Sequence, residues 1–274
     1  MKRFGKWLLL PFLIACFNEG VHFVNVMTQQ GPSSREEIAQ PKETTVSSKM
    51  VKESSIRIDE RAIPIDQSQY NELAALTVDS SQKPIQPVNQ NKSTLDPSKW
   101  QTEHVFYGDL DALNRTTCVT AYLSQRNLGR SKGRERQVWK PTGWHQKRVN
   151  GEAIYNRGHL LAYTSSFNFD QDGNFKEGEN GSIDNPKNLA TQTAYANQKL
   201  QTYYENLVRD AQKRAGNHVI YQIVTVFKGN ELMPRGYWLQ AKDSQGTLDF
   251  NVYEFNIQPH VTFDYATGLS NSKK

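Results

Sequence analysis

Cysteine is almost missing from this 274-residue chain: there are two, Cys16 and Cys118. Cys16 sits inside an N-terminal apolar run, so the rest of the chain has at most one thiol and no internal disulfide. A disulfide framework is excluded, and stability has to come from core packing. Long hydrophobic runs are missing too. Trp7 to Phe17, broken by Pro11, is shorter than the about 20 apolar residues a bilayer span needs, and extending it to Val24 would place Asn18, Glu19 and His22 in lipid. No aromatic residue occurs between Phe23 and Tyr70. A hydrophobic fraction of 36% and a mean hydropathy of -0.72 are low for a packed domain of this length, so part of the chain is unpacked. An acidic excess is absent as well: the net charge is +5 and the pI near 9.0, a balance that favours polyanionic partners. There is no His-Glu-x-x-His, which argues against a metalloprotease. Cys118, in the strand-like run Thr117 to Tyr122, reads as a small buried hydrophobe rather than a nucleophile.

What is present begins with an address. Lys2, Arg3 and Lys6 precede the apolar run, the layout of an export signal. Leu13-Ile14-Ala15-Cys16 has the look of a bacterial lipobox, so lipidation of Cys16, an uncleaved signal anchor and ordinary cleavage all stay open. The expected location is outside the bacterial cytoplasm, secreted or held at the membrane or cell surface. Residues 28–60 are dominated by Ser, Thr, Gln, Glu and Lys and cannot offset their ordering entropy by burial; they read as a flexible tether. The organisation expected is a signal or anchor over 1–27, a linker over 28–60 and one domain over 61–274. Residues 65–100, preceded by Pro64 and punctuated by Pro84, Pro87 and Pro97, read as its irregular N-terminal approach.

After Trp100 the pattern is mixed. Strands are expected at Cys118–Leu123, Val219–Phe227, Gly236–Ala241 and Thr247–Pro259, from alternation and β-branched or aromatic content. Asp243-Ser244-Gln245-Gly246 is a turn signal between the last two, predicting a hairpin. A helix is expected from Asn185-Pro186 through Leu189, Ala194, Leu200 and Leu207 to about Ala215.

Two clusters carry chemistry. In Tyr155-Asn156-Arg157-Gly158-His159 a glycine beside a histidine allows close backbone approach to a ligand, and a polar residue three places earlier can brace the strand end. The second is the density of amides on the expected helix: Asn188, Gln192 and Asn197, with Glu205 eight residues beyond Asn197, or about 2.2 α-helical turns. Amide and carboxylate oxygens suit a hard cation such as Mg²⁺ that keeps several waters.

A histidine closing a strand-like segment, a loop, and then Asn and Glu eight residues apart resembles the DNA/RNA non-specific endonucleases, whose signature is Asp-Arg-Gly-His. Pro141-Thr142-Gly143-Trp144-His145-Gln146, Pro186-Lys187-Asn188, Gln192-Thr193-Ala194, Ala196-Asn197-Gln198 and Tyr203-Tyr204-Glu205 resemble its streptococcal branch, and the similarity spans roughly residues 105 to 265. Asn156 stands where the family usually has Asp; it keeps a bracing hydrogen bond but not a charge. The resemblance implies an α+β fold, a central antiparallel β-sheet flanked by helices with a ββα-metal finger. It implies hydrolysis of DNA and RNA giving 5′-phosphates, with Mg²⁺ as cofactor and Mn²⁺ able to replace it.

The roles then follow from residue types. An imidazole titrating near 6.5 makes His159 the general base. Asn197 is the metal ligand, Glu205 holds a metal-bound water, and Asn188 and Gln192 support them from behind. Arg157, with a basic residue from the preceding segment, stabilises developing charge. From Arg126 to Arg148 there are eight Lys or Arg against one acid, Glu135, with Trp139 and Trp144 interleaved. Arg130, Lys132, Arg134 and Arg136, joined by Lys187, are the expected phosphate contacts. No zinc-finger spacing or helix-turn-helix pattern points to base reading. A non-catalytic nucleic-acid-binding surface protein would explain the charge but not the His, Asn and Glu constellation.

Overall fold

Six strands make the central sheet because their sequences alternate or run continuously apolar where both faces are covered. They are β1 (Ile85–Pro87), β2 (His104–Tyr107), β3 (Cys118–Leu123), β8 (Val219–Val226), β9 (Gly236–Asp243) and β10 (Asp249–Phe255). Their order is β1-β10-β9-β8-β3-β2, antiparallel at every pairing. The structure, a computed structural model, describes residues 63–77, 83–130 and 136–272. The segments expected to be an export signal and a tether, and Lys132 and Arg134, lie outside the described residues.

Two helices cover the two faces. Helix α1 (Gln67–Ala75), capped by the Asp66 carboxylate on Gln69 N, places Leu73 and Ala74 against Val224, Val226, Trp238, Tyr253 and Phe255. Helix α2 (Thr202–Gln212) sets Tyr204, Leu207, Val208 and Ala211 on the other face, among Val119, Tyr221, Ile223, Leu239, Phe250 and Val252. The described part of residues 65–100 therefore holds more regular structure than its prolines suggest. They supply α1 and the edge strand β1, because Tyr70 and Leu73 have an apolar sheet face to bury on. The expected strand Thr247–Pro259 shortens to β10, and the predicted β9–β10 hairpin is present, with Lys242 opposite Asp249.

Four short strands complete the inventory of the described residues before the C-terminal hairpin: β4 (Arg148–Val149), β5 (Glu152–Ala153), β6 (Tyr155–His159) and β7 (Leu189–Thr193). Strand β6 pairs with β7 across a long insert, Tyr155 opposite Thr193 and His159 opposite Leu189. The expected helix over 185–215 is thus corrected. Its first half is β7, and Asn188 and Gln192 sit on a 3₁₀ turn and a strand rather than on helical turns. Cross-strand pairing with β6 overrides local helical preference, and two threonines in Leu-Ala-Thr-Gln-Thr favour the extended form. The helix proper follows at once through a π-helical stretch, Ala196–Gln201, that runs into α2. Strand, strand, helix: this is the ββα unit. The hairpin β11 (Val261–Asp264) and β12 (Leu269–Ser272) then folds back beside β6, where Tyr155 OH donates to Gly268 O at 2.6 Å.

Candidate active site

Strand β6 delivers its side chains by alternation, and its glycine makes room for a neighbouring side chain. A Cβ at Gly158 would overlap the Gln192 side chain, so a larger residue there would displace the buried amide that donates to Gln201. Strand β7 is lashed to the central sheet. Asn256 accepts from Thr193 N at 2.8 Å and donates to Thr191 O at 2.9 Å, Tyr237 OH donates to Thr191 O at 2.8 Å, and Gln258 accepts from Tyr195 N at 2.9 Å. The start of the helix is therefore fixed relative to the strand that carries His159.

His159 is buried, 9% exposed, and its Nε2 lies 2.9 Å from Ile183 O. A carbonyl only accepts, so Nε2 carries the hydrogen in the neutral ring and Nδ1 is the basic nitrogen. Its backbone carbonyl takes a hydrogen bond from Gln201 Nε2 at 2.7 Å, and that same amide donates to Glu205 Oε1 at 2.9 Å. Gln192 Nε2 donates to Gln201 Oε1. A buried relay of two glutamines thus ties the histidine strand to the Glu205 carboxylate. The π-helical stretch sits at this junction, a feature frequent at functional sites because the wider turn shifts the phase of the residues before it.

These groups face one cleft of about 570 Å³, lined by Asn156, Arg157, His159, Asn197, Glu205 and Arg209 together with Gln137 and several smaller contributors. Asn197 comes from the π-helical stretch and Glu205 from the first turn of α2. Arg157 donates to Gln137 O at 2.5 Å, and its guanidinium lies over the Trp144 ring at 4.4 Å, while its Nε is buried without a hydrogen-bond partner. Arg209, one turn after Glu205, donates to Thr164 O at 2.7 Å.

The expected site residues divide. Asn156, Arg157, His159, Asn197 and Glu205 share the cleft. Asn188 and Gln192 do not reach it. Asn188 is fully buried and clamps Leu161, accepting from its N at 2.9 Å and donating to its O at 3.1 Å, so it fixes the chain just past His159. Lys187 lines a different depression with Tyr107, Asp172 and Asp184 and is bound to Asp109 at 2.6 Å. Arg130 and Arg136 are exposed and outside the cleft lining. His145 is exposed, hydrogen-bonded to Thr267 O, and also outside it. Sequence reasoning missed Gln137, Gln201 and Arg209. Arg209 carries a signal that could have been read, a cation four residues after Glu205 on a helix; the two glutamines carry none. Arg209 is thus a second cleft cation beside Arg157, while part of the preceding segment from which another was expected, residues 131–135, lies outside the described residues.

One more carboxyl lies beneath. Glu254 of β10 is fully buried, and neither carboxylate oxygen has a hydrogen-bond partner. Burial, and secondarily the charge of Glu205, hold its pKa well above the glutamate range. It faces Tyr204, Tyr221 and Tyr237, whose pKa values are all pushed up by burial and then by neighbouring charge.

The donor set suits a hard divalent cation. Among the described residues no three His, Cys, Asp or Glu converge, so a soft, fully protein-ligated metal has no cage, while an amide oxygen and a carboxylate opening on a wet cleft leave coordination to water and substrate.

Residues 90–245 match the protein family described as DNA/RNA non-specific endonuclease. The chain is similar to the crystal structure of NucA from Streptococcus agalactiae with magnesium bound, at 33% identity and a TM-score of 0.60, covering 69% of this chain and 86% of that one. The metal-free form of the same nuclease gives 34% identity and a TM-score of 0.58 over the same shares. The Sda1 nuclease with bound zinc shares the fold, at 21% identity and a TM-score of 0.52 over 69% of this chain and 97% of that one.

Proposed function

The chain belongs to the DNA/RNA non-specific endonuclease family, and from that premise we propose that it hydrolyses DNA and RNA without sequence preference, outside the cytoplasm, with one Mg²⁺ (or Mn²⁺) and 5′-phosphate products. The observation that carries this reading is one cleft shared by a histidine with a defined basic nitrogen, an amide-carboxylate pair and two guanidiniums. Asn197 and Glu205 would hold the cation, Asn197 by its amide oxygen and Glu205 through water. When bound, the cation supplies Lewis-acid stabilisation of the scissile phosphate and the leaving 3′ oxygen.

The chain's own residues supply the remainder. His159 Nδ1 takes the proton of the attacking water, and Ile183 O, holding Nε2–H, stabilises the imidazolium that results. Gln201 keeps the His159 backbone and the Glu205 carboxylate at a fixed separation. Arg157 and Arg209 balance the charge that builds on the phosphoryl oxygens, and the Trp144 face and Thr164 O keep those guanidiniums aimed. Asn156, on β6 beside Arg157, braces the strand. The exposed Arg130 and Arg136, with Lys132 and Arg134, neutralise phosphates at a distance and add affinity without sequence information. Lys187, held by Asp109, contributes less. The basic n-region and apolar run at the N-terminus support export.

The test is release of acid-soluble nucleotides from plasmid DNA and from RNA, with EDTA, Mg²⁺, Mn²⁺ and Zn²⁺ compared. Cleavage of both polymers that vanishes in EDTA and returns with Mg²⁺ is the expected result. Tight nucleic-acid binding with no cleavage under any metal would replace the nuclease by a binding protein.

A further inference from the structure

The chemistry above leaves one side chain unexplained. Of the described Phe, Tyr and Trp residues, Tyr203 alone is mostly in solvent, at 60%. Single exposed aromatics are ordinary on protein surfaces, but three observations set this one apart. The first is its place. Thr202, Glu205, Asn206 and Arg209 line the cleft, and with about 100° between successive helical residues Tyr203 borders that stripe, at the rim. The second is its support. Tyr204 meets it edge to face at 5.1 Å and 89°, and Tyr204 is itself anchored on Phe250 of the central sheet at 4.8 Å. The third is the chemistry of its surroundings. The cleft is lined mainly by amides, hydroxyls, guanidiniums and a carboxylate, groups that address phosphate, metal and water, and its one phenol, Tyr163, is 4% exposed and packed on Phe167, so it offers no open ring face.

An enzyme that reads no sequence cannot rely on base-edge hydrogen bonds, yet every base has a π-face. We propose that Tyr203 is a stacking platform for the nucleobase next to the scissile phosphate, and that it favours unpaired strands over duplex. In a duplex both faces of a base are covered by its neighbours, so the ring is engaged only where a strand is single or locally unstacked. This proposal rests on the nuclease reading of the same cleft and names a specificity determinant within it.

Binding in EDTA separates the two. Single-stranded oligonucleotides carrying 2-aminopurine or one abasic position, scanned along the strand, are titrated with the full chain and with its Tyr203→Ala and Tyr203→Phe variants. Stacking energies of the usual size convert to an affinity loss of about 5-fold to 100-fold for Tyr203→Ala on intact single strands. The loss should shrink below about two-fold when one particular position is abasic, and on duplex. Tyr203→Phe should restore both the affinity and the quenching of 2-aminopurine at that position. A loss equal on intact and abasic strands at every position, no loss at all, or no binding of single strands overturns the platform. Failure of the wild-type chain to cleave in Mg²⁺ while Tyr203-dependent stacking persists would instead overturn the hydrolytic reading and leave the platform standing.

Discussion

The central sheet and the β6–β7 hairpin are both antiparallel and both buried, yet they treat polar groups differently. Within the sheet, Gln240 donates to Gln222 at 2.9 Å, Gln222 donates to Thr120 at 3.1 Å, and Gln240 Oε1 receives Ser93 and Thr94. Trp238 Nε1 likewise finds Asn251 at 2.6 Å. On the β6–β7 pair, Gln192 instead donates to Gln201, which reaches the His159 carbonyl and Glu205. Atoms without a partner occur in both regions: Arg157 Nε and Gln192 Oε1 on the pair, and Tyr107 OH, Tyr221 OH, Tyr253 OH and both Glu254 oxygens on the sheet. A buried polar atom without a partner costs about 1–3 kcal/mol. The sheet's glutamines bond one another and serve the fold. The amide of the β6–β7 pair bonds toward the cleft residues, as expected where groups are arranged for chemistry rather than for stability. The contrast says that substitutions in the two regions should break different properties.

Loss of the base is the largest expected effect. His159→Ala should lower kcat by about 10² to 10⁴-fold, the usual weight of general base catalysis, with the melting temperature within about 2 °C of the parent. Added imidazole should restore part of the rate. Near-normal turnover would remove His159 from its role, and the site would then need another base, since His145 stands outside the cleft.

The sheet should give the converse. Leu239 is fully buried beside Ile223 and Val252, and Leu239→Ala should cost about 2–5 kcal/mol by lost burial and the remaining cavity. Urea denaturation measures that cost, while kcat per folded molecule should stay within two-fold. A large fall in kcat without loss of stability would show that the two regions are coupled and that the contrast is wrong.

A third set of substitutions asks how far the functional side extends. Replacing Arg130, Lys132, Arg134 and Arg136 by Ser should raise KM for long DNA and flatten the log–log salt dependence of binding by about 0.9 for each duplex phosphate no longer neutralised. Arg157→Ala, over Trp144 in the cleft, should act on kcat instead. Assays at two salt concentrations distinguish the outcomes. An unchanged salt slope would move the substrate path off this segment.

The same contrast explains what could be read from the chain. Strands β3, β8 and β9 are legible because their patterns are dictated by burial, and β6 with Asn156 to His159 because a Gly-His pair at a strand end is locally distinctive. The start of the helix is not legible, because the β6–β7 pairing joins residues about 30 positions apart, and no local window contains that partner. Gln137 and Gln201 are invisible for a related reason: each is defined by the backbone carbonyls it reaches, at Arg157 and at His159, and a glutamine in sequence does not declare its acceptor.

The smallest effect concerns Glu254, and its sign is fixed by linkage. The ordinary glutamate value is 4.5, and burial first, then the charge on Glu205, raise it well above that in the folded chain. Between those two values the folded state holds a proton that the unfolded state has released. The stabilising contribution is therefore complete at pH values below the unfolded pKa and is progressively lost as pH rises toward the folded one. Glu254→Gln keeps the shape and cannot ionise in either state, so it deletes this slope. The variant should melt above the parent at pH 8, and the difference should close as pH falls to about 4. Of the groups facing Glu254, the tyrosines stay protonated across this window, Tyr204 being pushed up to about 12 and Tyr221 and Tyr237 raised well above the ordinary tyrosine value by burial, while Glu205 is present in parent and variant alike. A variant that melts below the parent at pH 8, or by the same margin at both pH values, would mean that Glu254 is ionised and paired in the folded protein. The sheet would then carry a charged group serving the cleft above it, and the division between a sheet built for the fold and a hairpin built for the site would be correspondingly weaker.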